Sequence, residues 1–208
     1  MPDHRGSKEP IAERWRFPVT FASLTFGWLC ALFSNSLIRE LSEADRWFDT
    51  GGWLLLGVGI GLQGWARHEI SGRQSVMLVD TGPYALCRHP QYWGFLWLTL
   101  AQCLMLRSVF FLMAAAIPIS WHYLRVVPAE EDHLFEIWGE MYHTYSRNTP
   151  RWIPRWSRNV WKSLGLVESD AYDQEPIFSI FWLGAPFAAE LVCYYRNLPG
   201  WPHWPFPL

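Results

Sequence analysis

The apolar residues of this chain are gathered into blocks instead of recurring at the spacing of a surface helix. Phe17 to Ile38 gives about 22 mostly uncharged residues, enough to cross a hydrocarbon core of roughly 30 Å. A signal peptide would carry a shorter apolar region and a small-residue cleavage site, so an uncleaved span is expected. After an acid-rich charged loop from Arg39 to Asp49, Gly51 to Ala66 forms a second block. Its Gly57, Gly61 and Gly64 lie at helical spacing that would let another helix approach closely, or are equally the ordinary composition of a span. Arg67 to Pro90 is polar and turn-rich. Tyr92 to Leu106 and Ser108 to Val127 then form two blocks separated only by the Arg107–Ser108 junction, which predicts a tight helical hairpin. Pro118 predicts a kink in the fourth helix, because its ring clashes with the preceding turn and it offers no N–H.

Beyond Val127 the pattern changes. Pro128 ends that helix or opens the next, and Phe135, Trp138, Tyr142 and Tyr145 recur at three- and four-residue spacing as one aromatic face. Such a face predicts a helix lying at the membrane interface or packed on the core. Pro154 to Glu175 is a polar connection. Ile177 to Tyr195 is apolar but carries Pro186 and Glu190, so a fifth span, a re-entrant piece and an interfacial helix are all open. The Pro- and Trp-rich tail from Asn197 to Leu208 is expected to lie along the membrane surface without regular structure.

The fold expected is all-α and polytopic, with four core spans, the third and fourth a tight hairpin, plus an interfacial helix and the candidate fifth membrane segment. Residues 1–16 form a cytoplasmic tail, 17–154 the membrane core and 155–208 a C-terminal extension. Composition supports this: half of the 208 residues are hydrophobic and only 17% are charged, lean for a soluble domain. The 15 Trp suit bilayer interfaces, and Trp15, Trp47, Trp53, Trp65, Trp93, Trp121 and Trp138 stand near block ends. Basic residues favour the segments before the first span, between the second and third, and after the fourth, which puts the N-terminus and those segments in the cytoplasm. A net charge of −2 gives no sign of a nucleic-acid partner. Cys30, Cys87, Cys103 and Cys193 show no metal-ligand spacing, so no disulfide framework and no metal site are expected.

Two polar stretches carry chemistry. Gly82-Pro83-Tyr84 leads through Arg88-His89-Pro90-Gln91-Tyr92-Trp93-Gly94 into the third helix, with Pro90 suited to the first helical position. Outward-pointing N–H groups at that helix start, beside Arg88 and His89, suit a carboxylate. Taken alone, however, the plainer reading of Arg88 and His89 is interfacial residues flanking a span. The second stretch is Pro128-Ala129-Glu130-Glu131-Asp132-His133, whose acids in a first helical turn are stabilised by about 0.3–1 kcal/mol each through the macrodipole. That alone would explain the Glu pair.

Together the two stretches resemble the paired signatures of isoprenylcysteine carboxyl methyltransferases and phospholipid N-methyltransferases. GPYALCRHPQYWG is similar to the first signature, and EEDHLFEIWGEMYHTYSRNTPRWIP to the second. The resemblance runs from about Val79 to Pro154. Departures are Ala85 and Leu86 where relatives carry a basic or aromatic pair, Trp138 and Trp152 for Phe, and Thr149 for Val. The resemblance implies S-adenosylmethionine as cofactor, held by Tyr84, His89, Tyr92, Gly94, Glu130, Glu131 and Tyr142. It makes Arg88, Glu131 and Arg151 the candidates for catalytic roles. The acceptor implied is a lipophilic small molecule or lipid-linked substrate met at the cytoplasmic face, with membrane lipids as the surroundings. A membrane sterol reductase using NADPH shares a similar hairpin, but would need basic residues where Pro128-Ala129-Glu130-Glu131 is acidic. A non-catalytic scaffold is the remaining alternative.

Overall fold

The computed structural model describes residues 15–36, 42–71, 73, 77–155 and 176–204. The N-terminal tail and the connection from 156 to 175 lie outside the described residues. Among the described residues seven α-helices follow in order: α1 Arg16–Phe33, α2 Glu43–Ile70, α3 Pro90–Leu106, α4 Val109–Trp121, α5 Val127–Trp138, α6 Glu140–Asn148 and α7 Pro176–Arg196. A 3₁₀ turn, Gly82–Ala85, precedes α3, and a π-turn, His122–Val126, joins α4 to α5. No strand occurs among the described residues. Two helical stretches are long and apolar enough to cross a membrane, Arg16–Phe33 and Val109–Trp138, the latter apolar as far as Val127.

The chain divides into two compact units, with the divisions falling inside α1, α2 and α3 and at the end of α4. One comprises residues 18–61, 94–120 and 175–208. Its helices meet through small residues: a Cβ on Gly27 would lie 2.9 Å from that of Ala114, and one on Gly59 would lie 2.7 Å from the Leu98 side chain. Among the described residues nothing lies within 4 Å of a Cβ placed on Gly57, Gly61 or Gly64, which fits ordinary span composition better than a contact stripe. The close approaches fall at Gly27, Gly52 and Gly59 instead. Two apolar clusters fill this unit. Ala31, Met105, Leu106, Phe111, Ala115 and Ala189 form one. Leu56, Leu98, Ala101, Trp182 and Ala185 form the other. The outer faces are apolar too, with Phe21, Phe26, Leu54, Val58, Met113, Ile117 and Phe187 all exposed. Apolar faces on both sides of a helix are stable in lipid and costly in water.

Two expectations about these elements are corrected, and two are made more definite. From Glu43 to Asp49 the charged segment is not a loop: α2 begins at Glu43 and runs on through Ile70, while residues 39–41 lie outside the described residues. Arg107 explains why. It sits in the α3–α4 hairpin with a positive φ of 49°, is only 3% exposed, and pairs with Asp45 at 2.7 Å and with Asp49. Acids that looked solvated are therefore the inner face of a helix. Second, of the readings left open for Ile177 to Tyr195 the chain takes a helical one, with α7 continuous through Pro186 and Glu190. Third, the tail is irregular as expected over 201–204, but it packs back on the end of α1. Trp201 stacks on Phe33 and donates its indole N–H to the Leu32 carbonyl at 3.0 Å, while the Trp204 amide donates to the Phe33 carbonyl at 3.0 Å. Fourth, the aromatic helix after Pro128 is two helices, α5 and α6, broken at Gly139, whose φ of 50° and ψ of −122° are conformations an L side chain rarely adopts. Phe135 is thereby exposed while Tyr142 is buried, so the four aromatics do not share one face.

Candidate functional site

The second unit comprises residues 1–17, 62–93 and 121–174, and it holds both sequence motifs apart from Gly94. Its first motif is set by hydrogen bonds from α2. Glu69, buried, accepts from the Thr81 hydroxyl at 2.5 Å and from Arg73 at 3.2 Å, and Gln63 donates to the Gln91 carbonyl at 2.8 Å. These bonds fix the approach to the 3₁₀ turn, where Gly82 takes a φ of 58° and Pro83 follows. The Tyr145 hydroxyl then donates to the Tyr84 carbonyl at 2.8 Å, tying α6 to the turn. Pro90 opens α3, as its missing N–H favours.

The second motif is aimed by the π-turn. Pro128 cannot donate to the carbonyl four residues back, and its ring would crowd that carbonyl in a regular α-helix. A wider turn from His122 to Val126 precedes it, with the Val127 amide bonded to the His122 carbonyl. Such turns are often found at functional sites. At its end Val126 and the following Val127 are both buried against Tyr92, and Glu131 points inward.

Glu131 is the centre of the site. Its carboxylate receives His89 Nε2 at 2.9 Å, Arg88 Nη1 at 2.9 Å and Arg151 Nε at 3.1 Å, and a second Arg151 nitrogen completes a forked pair. Beside it the Tyr92 hydroxyl donates to Glu130 at 3.0 Å, and His89 Nδ1 stands 3.7 Å from the same carboxylate. Burial pushes the Glu131 carboxyl pKa up, but hydrogen bonds from His89 and Arg151 and the charge of Arg88 more than offset this, so it lies below the usual value. A depressed carboxyl contributes stability that is complete above its unfolded value and lost as pH falls through the folded one. Thermal unfolding followed from neutral pH downward is therefore expected to show a falling midpoint once pH drops below about 4.5, the ordinary value. In Glu131→Gln that share of the fall should be missing. Burial raises the Tyr142 hydroxyl pKa, with the Glu131 charge adding to it.

The segment 150–155 closes over the first motif like a strap. The Arg88 amide donates to the Pro150 carbonyl at 3.0 Å, the Arg155 amide to the Leu86 carbonyl at 2.9 Å, and the Trp93 indole to the Trp152 carbonyl at 2.7 Å. The Trp152 ring stacks on Tyr123 with centroids 4.2 Å apart and stands 5.5 Å from His89.

Of the residues singled out from the sequence, Arg88, His89, Tyr92, Glu130, Glu131 and Arg151 meet in one cluster. Tyr142 is buried beside it, close enough to feel the Glu131 charge. Tyr84 is half-buried with its hydroxyl toward Gln91. Gly94 is buried on α3 and belongs to the other unit. His122 and Tyr123 carry parts of the site that the sequence did not announce, and Tyr145, read there only as part of an aromatic face, joins them. His122 packs on Tyr92 at 5.4 Å, and its position in an apolar run was the one available hint. An open cleft of about 840 Å³ is lined by Leu78, Asp80, Ala85, Tyr145, Thr149 and Arg155 among others, but by none of the clustered residues. The charge-bearing cluster is the better candidate for chemistry, because its polar groups converge.

The phospholipid methyltransferase family model matches residues 52–141. The nickel-cobalt-cadmium resistance protein NccN of Alcaligenes xylosoxydans xylosoxydans is 31% identical over 176 residues, spanning 78% of this chain and 81% of its own length. The cobalt-zinc-cadmium resistance protein CzcN of Cupriavidus metallidurans is 30% identical over 188 residues, spanning 85% of this chain and 78% of its own. Protein-S-isoprenylcysteine O-methyltransferase B of Arabidopsis thaliana is 31% identical over 77 residues, 37% of this chain and 39% of that one. No solved structure matches the chain. The chain belongs to the family of membrane methyltransferases that includes phospholipid and isoprenylcysteine methyltransferases.

Proposed function

We propose that the protein transfers a methyl group from S-adenosylmethionine to a lipophilic acceptor, a prenylcysteine-like carboxylate, a lipid amine or a thiol, at the cytoplasmic face of a membrane crossed by four core spans. The observation that carries this reading is the convergence of both motifs on the buried Glu131, within an aromatic surround. The resistance named in two relatives describes no reaction and suggests no acceptor.

The residues present fit the cofactor's chemistry. Among the described residues Arg88 Nε is buried without a hydrogen bond, which leaves a cationic donor for a carboxylate. Glu130 remains 29% exposed, so it can accept from an ammonium or from ribose hydroxyls. Tyr84 and Tyr92 offer aromatic faces suited to a positive charge. The bound cofactor supplies an electrophilic methyl on a sulfonium. The chain's task is to hold the acceptor in line with the breaking C–S bond at about 3–3.5 Å and to exclude water. Arg88 and Arg151 orient the reactants, and Glu131 keeps both guanidinia and His89 in place. A carboxylate acceptor needs no base; an amine or thiol would pass its proton to Glu130 or His89.

Calorimetric titration of the detergent-purified protein with S-adenosylmethionine and, separately, NADPH tests the class. Micromolar binding of the first alone is the expected result. Binding of NADPH alone would assign the reductase reading instead, and binding of neither the scaffold. The orientation is tested by a reporter fused after Pro154, which should report the cytoplasm. An externally protease-accessible reporter there would reverse the topology.

A further inference from the structure

The strap and the π-turn share an outward-facing feature that goes beyond the role of Arg151 in methyl transfer. The Tyr123–Trp152 stack ties them together, with ring centroids 4.2 Å apart. On each segment the residues next to the stacked ring turn outward as a large aliphatic side chain with an arginine. Leu124 is 72% exposed and Arg125 is exposed; Ile153 is 78% exposed, between Arg151 and Arg155, which are exposed as well. Arg155 borders the cleft that also holds Asp80 and Glu140, so Arg125 and Arg151 are the guanidinia available to a surface. Arg151 is peculiar among the three side chains that meet Glu131: it is 44% exposed, against 14% for Arg88 and 5% for His89.

We propose that Leu124, Arg125, Arg151 and Ile153 form a docking surface for the anionic headgroup layer of a bilayer, the aliphatic pair entering the acyl boundary and the guanidinia binding lipid phosphates. Three physical arguments support a lipid surface as the occupant. Isolated aliphatic side chains beside arginines match the two layers of an interface, apolar below and anionic above. Arginine pairs with phosphate through two parallel N–H bonds, and its stem can lie along apolar surface while the head reaches the phosphates. Leu124 and Arg125 stand at the end of the apolar stretch from Val109 to Val127, where a spanning helix leaves the hydrocarbon. The surface stands on membrane association and holds whether or not the protein transfers methyl groups. It adds a consequence for the site: Arg151 is shared between Glu131 and lipid phosphate, so the surface charge of the membrane reaches the buried carboxylate through one side chain.

The experiment places an environment-sensitive fluorophore at position 153, using Ile153→Cys in a Cys103→Ser background, since Cys30, Cys87 and Cys193 are buried. The full-length protein is reconstituted in nanodiscs of phosphatidylcholine alone and of phosphatidylcholine mixed with anionic phosphatidylglycerol. The expected result is a blue shift of emission in the anionic discs only, reduced by high salt and by Arg125→Gln, and restored by Arg125→Lys. An equal shift in both kinds of disc would overturn the headgroup recognition and leave plain apolar insertion. Water-like emission in both would overturn docking altogether. S-Adenosylmethionine binding measured on the same discs reports separately on the methyltransferase reading, so each can fail without the other.

Discussion

Glu131→Ala and His89→Ala are each expected to abolish measurable S-adenosylmethionine binding while the protein still inserts in membranes. The alanine at 131 has the larger effect because it removes the one carboxylate shared by Arg88, His89 and Arg151. Breaking a buried ion pair by deleting one partner costs about 3–5 kcal/mol, since the remaining charge is left without compensation. Spread over a binding site, a loss of that size corresponds to a fall in affinity of more than about a hundredfold. His89→Ala removes one donor from Glu131 and the ring that lies between Tyr92 and Trp152, but leaves the two arginines paired. Calorimetry on the two purified variants, beside membrane fractionation to confirm insertion, checks the result. Unaltered affinity in both would remove this cluster from the cofactor site.

The largest stability effect is expected far along the sequence from that site. Arg107→Ala leaves Asp45 and Asp49 facing one another without their guanidinium, at a hairpin where Arg107 also donates to the Met105 carbonyl at 3.2 Å. The same estimate of about 3–5 kcal/mol for an orphaned buried charge applies. Thermal unfolding in detergent should show the midpoint falling by ten degrees or so, taking roughly 2–4 °C per kcal/mol for a chain of this size. Asp45→Asn with Asp49→Asn added to Arg107→Ala should recover part of the loss, because no unpaired acid remains. A midpoint within a degree of the parent would show the cluster to be unimportant for stability. Arg196 is a related case at the same end of that unit, donating from deep burial to the Leu106 carbonyl at 2.8 Å and so closing the end of α3.

How much of this was legible in the sequence depends on the range of the interaction involved. The α3 start at Pro90, the hairpin at Arg107 and the apolar reach of α1 and α4 follow from local composition, and the chain forms them. The meeting of Arg88, His89 and Tyr92 with Glu130, Glu131 and Arg151 was legible only through the pairing of two motifs, since each motif alone has an ordinary explanation. What was missed was set by partners distant in the chain. Asp45 and Asp49 looked like a solvated loop because their counter-ion stands 58 residues on from Asp49. The glycines at helical spacing misled for a related reason: which of them faces a neighbour depends on where Leu98, Met105 and Ala114 fall. Gly139 was quoted as part of a motif, yet a positive φ is a property of its backbone that a helical pattern on both sides conceals.

The wide turn at His122–Val126 has a consequence for kinship within the family. In a helix each residue turns the next by about 100°, so one extra residue accommodated in a wide turn rotates everything after it by that amount. Glu130 and Glu131 therefore owe their aim to the number of residues between the hairpin and Pro128 as much as to being glutamates. A relative with both motifs intact but one residue fewer in that stretch would present a different helical face to His89. Motif identity and site identity can then part company, and the length of an apolar, chemically silent segment becomes the character that tells them apart.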